Sequence, residues 1–290
     1  MAKFVVVTDA CSDLPKDIVQ KNNVPVISLN LHFGDQTVKT ASMTNADFYG
    51  RLRKKQVAKT SQPNETEVAE LVEPLLKKGQ DVLAIIISSV LSGTFNSFRL
   101  AKETLKAKYP ERKFVLIDSQ QVSLGISYLV IKALEWANAG KTLEETAAAV
   151  EKLVPQVNAI ALLDELGTLQ RGGRLSATKA FLGTLLNFKP ILAISNEGRL
   201  KATNEKGRGR VNGMAKLAEM VKQRLVNDEI ILIAHSDAPA DAKKLGETLK
   251  TMFPKNKQLI TNELGPVIAA HAGLGALAVI FLGKDKPVIS

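Results

Sequence analysis

The sequence predicts an α/β fold made of two α/β domains, the N-terminal one a mainly parallel, Rossmann-like sheet covered by helices. Two observations predict it. Short apolar, β-branched runs alternate with helix-length segments through the first half, the pattern of a parallel sheet whose crossovers are helices. The chain also has 290 residues with 45% hydrophobic content, enough for one large or two ordinary cores.

In the first half, strands are expected at Phe4 to Val7, Val24 to Leu31, Val82 to Ile87 and Phe114 to Ile117. Helices are expected at Asn45 to Gln56, Glu65 to Lys78, Thr94 to Lys108, Val122 to Ala139 and Leu143 to Leu153. Pro155 breaks the pattern, which divides the chain into domains at residues 1–155 and 156–290. Beyond it come a strand near Val157 to Leu162, helical stretches around Arg174 to Leu186, and strands at Ile191 to Ser195, Ile230 to Ala234, Gln258 to Thr261 and Ala278 to Leu282. No Pro- or Ser-rich linker separates the halves. Close packing around an interdomain cleft is expected, and such clefts are favoured ligand sites.

Composition narrows the function. Thr8 and Asp9 interrupt the short apolar run after Lys3, so no secretory signal is read. The apolar stretch Val267 to Leu282 contains His271 and two glycines and falls short of the roughly 20 residues of a membrane span. Cys11 is the only cysteine, which excludes an internal disulfide and a multi-cysteine metal site. A cytoplasmic protein is expected. The net charge of +10 favours an acidic partner or an anionic membrane. Its lysines and arginines are scattered, as in Lys54-Lys55, Lys77-Lys78 and Lys243-Lys244, with few aromatics beside them, so nucleic acid is not among the expected partners.

The most informative segment is Ser88-Ser89-Val90-Leu91-Ser92-Gly93-Thr94, between an apolar strand and a helix. The carboxyl end of a parallel strand and the start of a helix together suit an anion, through free N–H groups and partial positive charge. Ser92 and Thr94 can donate hydroxyl protons, and Gly93 admits a close approach. The same hydroxyls could equally cap the helix. Thr60-Ser61-Gln62-Pro63 reads as a turn before the next helix. Cys11 has no evident base, so it reads as a small buried side chain. Asp118-Ser119 ends another strand of the same sheet and reads as crevice wall or helix cap. His271 stands among small apolar residues and needs a partner, which is backbone or a ligand anion. Arg171-Gly172-Gly173-Arg174 is a helix-ending turn or an anion contact. No metal-binding histidine pair, G-x-G-x-x-G or P-loop is present, so no cofactor is expected.

In order, Val7-Thr8-Asp9, Thr60-Ser61-Gln62-Pro63, Leu91-Ser92-Gly93-Thr94, Ile117-Asp118-Ser119, Arg171-Gly172-Gly173-Arg174 and Gly265-Pro266 through His271 resemble the motifs of the bacterial DegV family over essentially the whole chain. The resemblance implies two α/β domains with a fatty acid bound between them, and a lipid-binding rather than catalytic protein. It implies a substrate-carrying subunit of fatty acid kinase, which presents the carboxylate to a separate ATP-using subunit for acyl phosphate formation in phospholipid metabolism. Carried over by position, Thr60 or Ser61, Ser92, Gly93, Thr94 and His271 are implied to meet the carboxylate. Arg171 and Arg174 are implied to dock the kinase subunit. Phe181 to Leu186, Ile191 to Ile194 and Ile268 to Ala270 are candidates for the tunnel wall, as well as ordinary core. Two departures from the family pattern, Ala10-Cys11-Ser12 and Leu274, bear on chain-length preference. A hydrolase or acyl transferase using Ser92 with His271 is the competing reading from the enzyme class, although it lacks the G-x-S-x-G elbow.

Overall fold

The computed structural model describes residues 4–164, 166–175, 188–284 and 286. The first half runs β1 (Phe4–Asp9), α1 (Lys16–Asn22), β2 (Val26–Ile27), β3 (Asn30–Phe33), β4 (Gln36–Lys39), α2 (Asn45–Arg53), β5 (Lys59–Ser61), α3 (Glu65–Lys77), β6 (Asp81–Ile86), α4 (Thr94–Lys108), β7 (Phe114–Asp118), α5 (Leu124–Asn138) and α6 (Leu143–Leu153). The second half runs β8 (Val157–Leu162), α7 (Gly167–Arg171), β9 (Phe188–Ile194), β10 (Leu200–Arg208), α8 (Gly209–Arg224), β11 (Leu225–His235), α9 (Pro239–Met252), β12 (Gln258–Glu263), α10 (Pro266–Ala272) and β13 (Leu277–Gly283).

Strands β2-β1-β6-β7 form an entirely parallel sheet. Every residue of β6 after Asp81 is buried, the mark of a strand covered on both faces. Two helical pairs pack on this sheet, α3 with α4 and α5 with α6. Capping boxes start α3 at Asn64 with Glu67 and α6 at Thr142 with Glu145, each satisfying two N–H groups that the helix itself cannot.

The second sheet has six strands in the order β10-β9-β8-β13-β11-β12 and is mixed, with only β11 and β12 parallel. Its side chains alternate cleanly between two cores, as period-two strands must. Ile160, Leu162, Ile191, Ala193, Val279 and Phe281 join α8 and α9 in one core. Ala159, Leu192, Ile194 and Ile280 face the other way and merge with the core of the parallel sheet. Helix α5 lies between, touching β1 and β6 of one sheet and β8, β11 and β13 of the other. Its first two turns, Leu124 to Ile131, are buried on every side, as a doubly covered helix must be, and Leu124, Ile126, Leu129 and Val130 are among its ten buried residues.

A third, antiparallel sheet, β4-β3-β5, corrects two expectations. The run Val24 to Leu31 is two strands in different sheets, because the Leu29 N–H leaves the ladder to bond Thr40 Oγ1 at 3.1 Å. The segment starting at Thr60 is no simple turn, since Lys59–Ser61 pair with His32, Leu31 and Asn30 before Pro63 ends the strand. Pro155 lies in the turn between α6 and β8. The helical stretch expected to Leu186 lies largely outside the described residues, as do the wall candidates Phe181 to Leu186. Its described beginning is the turn that follows α7, with Leu175 bridging to Leu200. Among the described residues, no helix is long and apolar enough to cross a membrane.

Candidate functional site

The carboxyl ends of β1, β6 and β7 point at the inner face of the second sheet, and a cavity with about 1050 Å³ of space, its mouth included, lies between them. Cys11, Ile87, Val122 and Ser123 come from the parallel side, and Ala159, Ala161, Leu192, Ile194, Ala278 and Ile280 form the opposite floor. Ala161 is paired with Leu192 on one side and Ala278 on the other, so two alanines side by side leave room above the sheet. Helix α10 closes a third side with Val267, Ile268 and Ala272.

One end of this apolar space is polar. Strand β5 brings Thr60, the loop before α4 brings Ser92, α10 brings His271, and the turn after α7 brings Arg174. Thr60 Oγ1 and His271 Nε2 are joined at 2.8 Å. Arg174 donates from Nε to the Leu91 carbonyl at 3.1 Å and from Nη1 to the Gly172 carbonyl at 2.5 Å, which fixes its guanidinium in the wall. Gly172 must be glycine here, because a Cβ would stand 2.5 Å from His271 Nδ1. A second, open depression shares Thr60, Arg174 and His271 with the cavity and continues outward to Lys55, Val57, Lys59 and Arg171. The polar end is therefore the partition between buried space and surface.

Burial, and then the nearby Arg174 charge, push His271 down to about 4. At neutral pH the ring is thus an uncharged hydrogen-bonding group, and an anion beside it would draw its proton affinity back up. Burial acts on the acids in the same loop in the opposite sense. Asp9 is raised to about 6 although the N–H groups of Ile87 and Cys11 lower it in part. Asp13 is raised to about 7, partly offset by donors from Ser123 and Gly265. Burial also raises the Cys11 thiol well above its usual value, which leaves it unreactive.

The structure brings together Thr60, Ser61, Ser92 and His271 around one cavity. Ser61 is turned to a polar cluster on β3, bonded to His32 Nε2 at 2.9 Å and accepting from Asn30 Nδ2 at 3.2 Å. Gly93 opens α4 with no side-chain cap and lies beneath the Gln62 side chain. Thr94 is fully buried behind Ser92, the two hydroxyls 2.9 Å apart. Arg171 reaches the open depression and donates to Thr168 Oγ1 at 3.1 Å, whereas Arg174 belongs to the cavity as well as to the depression. Gln62, which also lines the cavity, went unread within a motif that looked like a turn. Asp118 Oδ1 accepts from the N–H groups of Ser89 and Gln120, serving its own loop. Ser92 bonds Thr94 and His271 bonds Thr60, so the nucleophile and base of a hydrolase are not paired. Among the described residues, no group of three or more His, Cys, Asp or Glu is placed to hold a metal.

Known proteins resemble this chain over nearly its whole length. Residues 3–284 match the family model described as uncharacterised protein, DegV family. A DegV domain-containing protein of Clostridium perfringens is 35% identical over 293 residues, covering 99% of both chains. A solved structure titled for fatty acid binding of a DegV family protein from Thermus thermophilus has 28% identity and a TM-score of 0.85, covering 97% of this chain and 99% of that one. A fatty acid binding DegV family protein from Streptococcus agalactiae has 28% identity and a TM-score of 0.84, covering 98% and 100%.

Proposed function

Because the chain belongs to the DegV family, we propose that its cavity holds one long-chain fatty acid, with the carboxylate at the polar end and the tail between the two sheets. The observation that carries this reading is a single apolar cavity that ends at Thr60, Ser92, His271 and Arg174. Two hydroxyls, a neutral imidazole and one guanidinium can surround a carboxylate without leaving a buried charge unpaired. Each tail methylene removed from water adds about 0.8 kcal/mol, so the chain supplies most of the affinity and the polar end its orientation.

In this reading the protein carries its ligand and does no chemistry of its own. The carboxylate lies one side-chain layer below the depression rimmed by Lys55, Lys59 and Arg171, and a separate ATP-using kinase subunit docking there would reach it to make acyl phosphate. Arg171 belongs to that docking surface, while Arg174 faces both the ligand and the partner. The two ligand-holding domains divide at residues 155 and 156, the turn between α6 and β8.

Denaturing the purified protein and analysing the extract by mass spectrometry tests the reading, beside native spectra of wild type and of Ser92→Ala with His271→Ala. One fatty acid per wild-type chain, lost from the double variant, is the expected result. Added kinase subunit and ATP should then convert the bound acid to acyl phosphate. A protein that is empty and refuses added fatty acids would sink the proposal.

A further inference from the structure

Asp13 makes none of the contacts assigned to the ligand, yet its carboxylate ties together segments that build the cavity. Its Oδ1 accepts from the Gly265 N–H at 2.8 Å and its Oδ2 from the Ser123 hydroxyl at 2.6 Å. Its carbonyl accepts from Asn262 Nδ2 at 2.7 Å. Gly265 opens α10, the helix that carries Val267, Ile268 and His271 into the cavity. Ser123 lines the cavity just before α5. One side chain from the loop after β1 thus holds both the His271 wall and the Ser123 wall.

The junction is closely built. Asp13 and Ser123 both have positive φ, 50° and 54°, and a Cβ on residue 265 would stand 2.6 Å from Asp13 Oδ1. Conformations of that kind persist only where the surroundings over-determine them. Among the described residues no Lys or Arg forms an ion pair with Asp13. The titratable groups that face it are Asp9 from β1, Cys11 from the following turn and Tyr49 from α2. Ser123 and Gly265, from the α5 and α10 sides, bring donors without charge.

We propose that Asp13 is a positioning residue for His271, a clamp joining the start of α10 to the start of α5, whose ionisation lets the two walls part and the ligand leave. The proposal rests on the fatty-acid reading of the cavity. A protonated carboxyl meets both partners, its carbonyl oxygen accepting from the Gly265 N–H and its hydroxyl donating to Ser123 Oγ, whereas an ionised one is a charge held out of water that parting walls would hydrate. Since burial brings Asp13 to about 7, that change falls near neutral pH. His271, at about 4, keeps one state across the same interval.

The test is the release rate of a bound anthroyloxy-palmitate probe, followed by fluorescence at about pH 8 and about pH 6. Wild type should release it several-fold faster at the higher pH. Asp13→Asn, uncharged at both, should release it slowly at both, and Asp9→Asn should keep the step, since Asp9, at about 6, is the other acid in range. Should Asp13→Asn fail to fold, Ser123→Ala removes one of the two partners and should show faster release at the lower pH with a smaller step. A flat wild-type rate, or a step that survives in Asp13→Asn, overturns the clamp. A wild type that takes up no probe at either pH overturns the fatty-acid reading itself, and the clamp with it.

Discussion

Two carboxylates set into one apolar loop work against the stability of the fold. Asp9 and Asp13 both sit above the ordinary aspartate range because burial disfavours their ionised forms. The native chain therefore holds these protons more tightly than the unfolded chain between about pH 4 and pH 7, and stability falls as pH rises through that window. Above about pH 7 the penalty is fully present, on the order of a few kcal/mol for shifts of this size. Wild type should accordingly lose stability relative to Asp13→Asn as pH is raised from about 5 to about 8. Urea midpoints at the two pH values check this, and an unchanged difference would show that burial does not govern the group. Legibility at this scale followed local chemistry. Thr60, Ser92 and His271 could be picked out because each is a polar side chain in a recognisable motif. The inward turn of Arg174 could not be read, because it depends on bonds to Leu91 and Gly172 carbonyls. Nor could the placement of Ser61, whose partners Asn30 and His32 lie about thirty residues away.

Leu143–Leu153, with its capping box and apolar stripe, was read to the residue, and so was Thr94–Lys108, which its apolar positions mark although no side chain caps it. Other elements were missed: α1 buries no residue, β10 is interrupted by Asn204, Glu205 and Lys206 within its span, and α8 and α9 went unread although both bury an apolar face. A run of apolar residues such as Val24 to Leu31 cannot show where one strand gives way to another in a different sheet, because each obeys the same period. The alanine pair on β8 and β13 gives the element scale its prediction. Ala161 and Ala278 are only partly buried although they belong to inner strands, because they face the cavity. Ala161→Leu or Ala278→Leu should fold normally and shift the bound acids toward shorter chains. Each methylene displaced costs about 0.8 kcal/mol, roughly fourfold in Kd. Acid profiles from mass spectrometry would show it, and an unchanged profile would place the tail elsewhere.

The whole molecule carries a net charge of +10, and cations Lys55, Lys59 and Arg171 ring the depression beside exposed Val57. Each basic residue near an anionic bilayer contributes about 1 kcal/mol. Co-sedimentation with vesicles should rise with their anionic lipid content and fall with added salt; binding indifferent to both would exclude a membrane role for this face. At this scale the sequence disclosed two α/β halves but not the order of the second sheet, whose neighbours β8 and β13 are more than a hundred residues apart. Pairings of that separation leave no local trace. The position of α5 also has a genealogical consequence. Its one flank is moulded to the parallel sheet and its other to the mixed sheet, so neither half is a cassette that recombination could exchange alone. Substitutions along α5 must satisfy two surfaces at once, and the halves are bound to diverge together.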